Sequence, residues 1–428
     1  MVNNKTFQSN KIGTRYFFRK QDDIHFLQDD ENILRCHKAN EKDFNYRYYE
    51  CQKGYKPSLE GMQQYKIDIN KNIEEMKTDI NYLNFENHEK AIYNIFLSKS
   101  KNQINKINIE DVSYIEFKYQ YMSYNSGLMS IDKELINKKI SCFGYDVKNF
   151  YAYLLGASNL QIPIKAGKEM NLKFLTFPLS YGYYRVIVEK SDRIPFYKIF
   201  SYSTDNVYTH YSINFIEEFY NKKCDAGDKI KITLIIDDEP NAYIYDKENL
   251  IKTSKIFDNW YQYINELKTK YPTNKLIKRC SSSLWGYITQ YDKTLYTDAD
   301  EFKHNCNDNI SYIFDWNKHT EFKLMESQID DEKNIFKCEV VNTNNIYKHS
   351  LARVKSFLTS YGRIMIAKLL FTENIPISDV VRIQCDGIVL KKPHNFDKTH
   401  LKIVEEKKTT GDIIWYSINS NDKNKRTK

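Results

Sequence analysis

Two apolar, β-rich runs each end in an aspartate. Ser141-Cys142-Phe143-Gly144-Tyr145 leads into Asp146, and Val380-Val381-Arg382-Ile383-Gln384-Cys385 leads into Asp386. Carboxylates so far apart in the chain meet only where one sheet brings their strands together. Between them a basic helical stretch, Lys278-Arg279-Cys280-Ser281-Ser282-Ser283-Leu284, ends in Trp285-Gly286. Two carboxylates and a phosphate-seeking lysine are the parts that metal-assisted phosphoryl transfer uses. Hard oxygen ligands suit Mg²⁺. Two such ions, roughly 3.5–4 Å apart, stabilise the attacking and the leaving oxygen together.

The 428 residues suffice for two or three domains, and a hydrophobic fraction of 41% indicates a globular chain. The net charge of +8 permits a nucleic-acid partner without requiring one, since a clustered patch is what such a partner reads. None of the eight cysteines forms a Cys-x-x-Cys pair, which points to reduced thiols rather than a zinc knuckle. Met1-Val2-Asn3-Asn4-Lys5 opens without an apolar stretch and no window reaches membrane-spanning length, so the expectation is a soluble, cytoplasmic protein without a membrane partner.

Residues 71–81 and 86–100 have helical spacing, with Ile73, Met76 and Ile80 in the first and Ala91, Ile92, Ile95 and Phe96 in the second. From about 116 the pattern reads as strands. Residues 210–222 read as helix, 228–236 as strand and 253–289 as helix interrupted near Pro272. Residues 351–370 give the clearest helix, with Leu351, Val354, Phe357, Leu358, Tyr361, Met365, Ile366 and Leu369 on one face. Asp386-Gly387 between two β-rich runs predicts a hairpin with a type I′ tip.

Each candidate has a plainer rival. Asp146 would serve equally as a helix N-cap. Lys278-Arg279 would serve as a solvated basic face. Asp386 would serve as a turn residue. Aromatic-basic clusters at 15–20 and 46–49 can track single strands, or follow from a composition with 35 tyrosines.

The order and spelling of the three stretches resemble motifs A, B and C of family-B DNA polymerases, especially the protein-primed branch of phages and linear plasmids. The first motif of that family, Asp-x-x-Ser-Leu-Tyr-Pro, is matched by Asp146-Val147-Lys148-Asn149-Phe150-Tyr151-Ala152. The second, Lys-x-x-x-Asn-Ser-x-Tyr-Gly, is matched by Lys278, Ser282, Ser283, Trp285 and Gly286. In the third, Tyr-x-Asp-Thr-Asp-Ser, Gln384 takes the place of the first Asp and Asp386 that of the second. Ser360-Tyr361-Gly362-Arg363 stands where the family carries an aromatic-small-Arg helix, and 401–408 and 411–415 stand where it has its last palm strands.

The resemblance implies an α+β polymerase palm, an antiparallel sheet with packed helices, plus helical fingers and an N-terminal accessory region. The implied division is accessory region 1–115, palm 116–200 with the first motif, insertion and fingers 201–290 with the second, palm 291–416 with the third, and a basic tail 417–428. No apolar strand in 1–115 carries the Asp-x-Glu of a proofreading exonuclease, and no thumb follows the last palm strand, so short extensions per encounter are expected.

The implied activity is template-directed addition of dNTPs to a primer 3′-hydroxyl or a protein hydroxyl, with two Mg²⁺ ions. Asp146, Asp386 and the main chain of Val147 would hold metal. Val147, Asn149, Phe150, Lys278, Ser282, Ser283 and Gly286 would surround the nucleotide, with main-chain N–H groups from Val147 to Phe150 on the triphosphate. Tyr151 would lie under the sugar and reject a 2′-hydroxyl. Trp285, Lys407 and Lys408 would touch DNA. Partners would be primer–template DNA, dNTPs and a terminal-protein primer or accessory replication subunit. The other reading is a palm without catalysis that binds nucleic acid or a partner.

Overall fold

A computed structural model describes residues 59–80, 88–135, 139–140, 142–191, 193–296, 338–341, 345–397, 404–407 and 413–414, together with strands 15–20, 23–28, 32–37 and 48–50. The fold is α+β. It divides into two compact units, one of residues 1–105 and 257–287, the other of residues 106–256 and 288–428. Among the described residues no helix is long and apolar enough to cross a membrane.

The first unit begins with β1 (Arg15–Lys20), β2 (Asp23–Gln28), β3 (Asn32–His37) and β4 (Tyr48–Glu50), in the order β3-β2-β1-β4. Helices α1 (Leu59–Met76) and α2 (His88–Ile104) follow. The spacing of Ile73, Met76 and Ile80 predicts a helix over 71–81, but the helix starts a dozen residues earlier, because Tyr65 and Ile69 continue the buried row from Met76. It stops at Lys77, whose left-handed φ of 46° ends the helical path.

The second unit holds α3 (Tyr114–Ser123), β5 (Met129–Ile131), β6 (Lys139–Ile140), β7 (Phe143–Val147) and α4 (Phe150–Gly156). Next come β8 (Gln161–Pro163), β9 (Lys168–Met170), β10 (Gly182–Val188) and β11 (Val207–Thr209). Residues 210–223 wind as α5 (His210–Asn214), a π turn and α6 (Asn221–Lys223). Strands β12 (Ile232–Leu234), β13 (Ala242–Ile244) and β14 (Leu250–Lys252) precede α7 (Ser254–Lys270) and α8 (Lys275–Ile288), whose bulk belongs to the first unit. The chain then returns through β15 (Lys293–Tyr296), β16 (Cys338–Val341), α9 (Val354–Thr372), β17 (Val380–Gln384), β18 (Gly387–Leu390), β19 (Val404–Lys407) and β20 (Ile413–Ile414).

The sheet that contains Asp146 runs β19-β7-β18-β17-β5, antiparallel throughout. A second sheet runs β11-β10-β13-β9, with β12 on β10. Tyrosines fill the space between this second sheet and α9. Tyr183 and Phe357 stack at 4.9 Å, the Tyr183 hydroxyl meets Ser356 at 2.7 Å, and the Tyr245 hydroxyl donates to Glu116 at 2.7 Å. Satisfied hydroxyls let these large amphipathic rings serve as core.

Helix α9 is buried on more than its apolar stripe. Ser356, Thr359, Ser360 and Arg363 are buried as well. Ser360 meets Thr209 and Ser212, and the Arg363 guanidinium donates to the carbonyls of Asn125 and Ser126, both at 2.7 Å. The small hydroxyls carry their hydrogen-bond partners with them, so a polar-looking face can face the interior.

Where strands are expected from about 116, the chain is instead helical to Ser123 in α3, and the first strand of this unit, β5, starts at Met129. Ser113 accepts from the Glu116 N–H, which opens the helix. Its inward face is polar because Glu116 forms a bidentate pair with buried Arg353, at 2.7 and 2.8 Å, and Gln120 accepts from the Tyr347 hydroxyl.

Candidate active site

Strand β7 ends at Val147, and the turn after it reaches α4 through Asn149, the N-cap, in left-handed backbone with φ 55° and without a side-chain cap bond. Asp146 is therefore a strand residue rather than the helix cap. It pairs with Gly387 of β18, and the Val147 N–H donates to the Asp386 carbonyl at 3.0 Å. Asp146, near the end of β7, and Asp386, in the loop that leads into the neighbouring strand β18, thus sit together at one end of the sheet. A Cβ built on Gly387 would lie 3.7 Å from Asp146 Oδ1, so the carboxylate rests beside the bare main chain of that glycine.

The hairpin between β17 and β18 differs from expectation. Gln384 pairs with Gly387, so the two-residue loop is Cys385-Asp386 and Gly387 already belongs to the strand. Cys385, with φ 58°, carries the left-handed conformation that a type I′ Asp-Gly tip would have given to both loop residues. The loop is held from outside, since the Cys385 N–H donates to the Leu128 carbonyl at 2.7 Å.

A cleft of about 390 Å³ opens at this end of the sheet, and Asp146, Arg382, Gln384, Cys385, Asp386 and Gly387 are among its lining residues. Arg382 and Gln384 lie two apart on β17 and therefore share a face, and the Arg382 guanidinium donates to the Gln384 amide oxygen. Glutamine at 384 thus offers Arg382 a neutral acceptor. Burial lowers the Arg382 pKa.

Tyr151 is partly buried beside the hairpin. Its hydroxyl lies beside the Cys385 thiol, both against Gly127. Burial first, then Cys385 and Asp386, hold the Tyr151 pKa above the usual phenol range. Phe150, 2% exposed, points into the core against Gly362, so only its main chain is available to a ligand. The Val147 N–H is engaged by Asp386, so it is not available to a triphosphate as the helix-start reading expected.

The remaining predicted residues lie on other elements. Helix α8, in the first unit, is capped by Asn274, whose side-chain oxygen accepts from the N–H groups of Leu276 and Ile277. Leu276, Ile277, Cys280, Leu284 and Ile288 are its buried face. Lys278, Ser282 and Gly286, four apart, form an exposed strip; Ser283 and Trp285 are half-buried beside it. A Cβ on Gly286 would meet nothing within 4 Å. Arg279 instead pairs with Glu89 at 2.8 Å and helps lower that carboxyl's pKa against burial. Lys407 occupies the β19 position opposite Gly144, one strand from the carboxylates. Lys408 and the tail 417–428 lie outside the described residues.

Two contributors had no signal in the motif reading. Cys385 stands between Gln384 and Asp386 without a role in the motif, and Gly127 lies outside all three motifs. Among the described residues no group of three or more His, Cys, Asp and Glu is placed to hold a metal. Two carboxylates on one cleft nevertheless fit Mg²⁺, which takes one or two protein carboxylates and completes its shell with water and substrate phosphate.

No protein-family model matches the chain, and no curated protein matches it. Among solved structures it is similar to Phi29 DNA polymerase. The complex with primer-template DNA, a post-translocation binary complex, gives a TM-score of 0.50 at 10% identity, over 79% of this chain and 53% of that one. The complex with single-stranded DNA gives 0.49 at 11% identity, over 79% and 52%. The chain thus spans about half the length of these structures. At such identity the likeness is one of fold, and this chain has a polymerase-like fold.

Proposed function

We propose that the protein is a template-directed DNA polymerase that adds dNTPs to a primer 3′-hydroxyl or a protein hydroxyl. The observation that carries this reading is the meeting of Asp146 on β7 and Asp386, in the loop that opens the adjacent antiparallel strand β18, in the lining of one cleft. The fold likeness supports it. In this reading the sheet β19-β7-β18-β17-β5 is the palm, and α8 is the helix of the fingers.

Asp146 and Asp386, with the main chain at Val147, would hold Mg²⁺, which when bound supplies Lewis-acid stabilisation of the charge on the attacking and leaving oxygens. The chain's own residues do the rest. The Asp386 main chain, tied to Val147, keeps the two carboxylates in register. Asn149, at the turn, and the Phe150 main chain border the nucleotide. Tyr151 presents its ring to the sugar and excludes a 2′-hydroxyl. Lys278 contributes a point charge to the triphosphate, and Ser282, Ser283 and Gly286 leave room for a base pair along α8. Trp285, Lys407 and Lys408 contact the DNA.

Templated primer extension with Mg²⁺ and dNTPs tests the reading. Extension by the wild type that Asp146→Ala and Asp386→Ala each abolish, with primer–template binding retained, is the expected result. Binding of primer–template without extension by the wild type would instead make this a polymerase-like palm that serves as a binding module.

A further inference from the structure

Resting on the polymerase reading, we infer that Gly127 and Cys385 are positioning residues for the Tyr151 ring, and that the segment Asn125–Leu128 thereby sets how strictly the site rejects a ribonucleotide. Gly127 is buried where α3 gives way to β5, outside all three motifs. A Cβ built on it would lie 2.6 Å from Cys385 Sγ and 2.6 Å from Tyr151 Oη. Both atoms are thus seated against the bare α-carbon, and any larger residue must push one of them out.

Each member of this seat is fixed. The Tyr151 hydroxyl and the Cys385 thiol lie side by side over the Gly127 α-carbon. Cys385 has little freedom to retreat. Its N–H is bound to the Leu128 carbonyl at 2.7 Å, and its φ of 58° places it in a region that few non-glycine residues adopt. The segment itself is clamped from behind by buried Arg363, which holds the Asn125 and Ser126 carbonyls. At the other end of the Tyr151 side chain, Phe150 anchors α4 in the core against Gly362.

A ring that discriminates by contact works only at a fixed height. The tip of Tyr151 is set by Gly127 and Cys385, and Cys385 adjoins Asp386. The same hairpin therefore sets the sugar-contacting ring and one of the two carboxylates.

The test is the ratio of kcat/KM for dNTP over rNTP in templated primer extension. It compares the wild type with Tyr151→Ala, Gly127→Ala, Cys385→Ala and Cys385→Ser, each checked for folding by thermal melting. Gly127→Ala and Cys385→Ala should lower the ratio about tenfold or more, as displaced pocket contacts do. Cys385→Ser, which keeps a small hydrogen-bonding group, should retain most of the wild-type ratio. Should Gly127→Ala fail to fold, Cys385→Ala against Cys385→Ser decides. A ratio that Tyr151→Ala destroys but Gly127→Ala and Cys385→Ala leave intact overturns the positioning role and leaves the polymerase reading standing. A ratio indifferent to Tyr151→Ala removes the gate itself. No extension by the wild type overturns both readings.

Discussion

Replacing Arg353 by methionine would leave the Glu116 carboxylate, 0% exposed, without its bidentate partner in the middle of a tyrosine-rich core. Breaking a buried pair from one side costs about 3–5 kcal/mol, because the remaining charge must still be desolvated. Urea unfolding of Arg353→Met should show a loss of that order, and a change under 1 kcal/mol would contradict it. His210 makes a second residue-scale test. It is buried, accepts the Gly182 N–H at its Nδ1, and burial pushes its pKa from 6.5 down to about 3. Between those values the unfolded chain binds a proton that the folded chain refuses. Stability therefore rises with pH across the interval and is lost as pH falls through it. His349, also lowered by burial, acts in the same direction, so the pH slope of wild type against His210→Gln is what isolates His210. A shallower slope for the variant between pH 6 and roughly 4.5 is expected; an identical slope would exclude the assignment. Neither residue stood out in the sequence, for a physical reason. A charged or titratable side chain looks alike whether it faces water or a partner far along the chain. Asp146 and Asp386 could be picked out because each closes an apolar run; in the structure β7 carries Asp146 one residue before its end, and β17 ends two residues before Asp386.

At the scale of elements, local signals worked where burial follows periodicity and failed where polar groups are buried in pairs. Helix α9 was legible from its apolar stripe, and α7 and α8 from the break at Pro272. Helix α3 was not, because Glu116 and Gln120 sit on its inward face, although Ser113 and Glu116 have the spacing of a capping box. The hairpin was legible as a hairpin but one residue out of register, because Cys385 rather than glycine takes the left-handed position. Close packing between elements gives a direct test. A Cβ on Gly362 of α9 would stand 3.1 Å from both Leu154 Cδ1 and Phe150 Cε1 of α4. Overpacking of this kind costs roughly 1–3 kcal/mol. Gly362→Val should therefore lower the melting temperature clearly more than Gly286→Val, whose site on α8 is open. Both substitutions put a β-branched residue into a helix, so intrinsic propensity cancels in the comparison. Equal losses would mean that α9 and α4 are not in the described contact.

At the scale of the whole molecule, the unit that joins residues 1–105 to 257–287 rests on contacts such as Phe96 on Phe257 at 5.0 Å and the Tyr263 hydroxyl on the Met76 carbonyl at 2.6 Å. Such long-range pairings leave no trace in a linear pattern. Net charge, by contrast, is a sequence-level quantity with a whole-molecule consequence. An excess of +8, from 64 basic and 56 acidic residues, is small for a protein that would bind a polyanion along a groove. The proposed function therefore depends on basic groups being grouped along the DNA path, and salt measures that directly. Each phosphate neutralised contributes about −0.9 to the slope of log affinity against log salt. A primer–template held by three or more phosphate contacts, as a groove binder needs, should give a slope of about −3 or steeper as KCl is raised through the physiological range. Because Asp146 and Asp386 would act on metal and not on DNA phosphates, Asp146→Ala and Asp386→Ala measured without Mg²⁺ should keep the wild-type slope. A slope near zero would mean that the excess charge is scattered. The cleft would then have to take a smaller substrate than duplex DNA, whatever the fold.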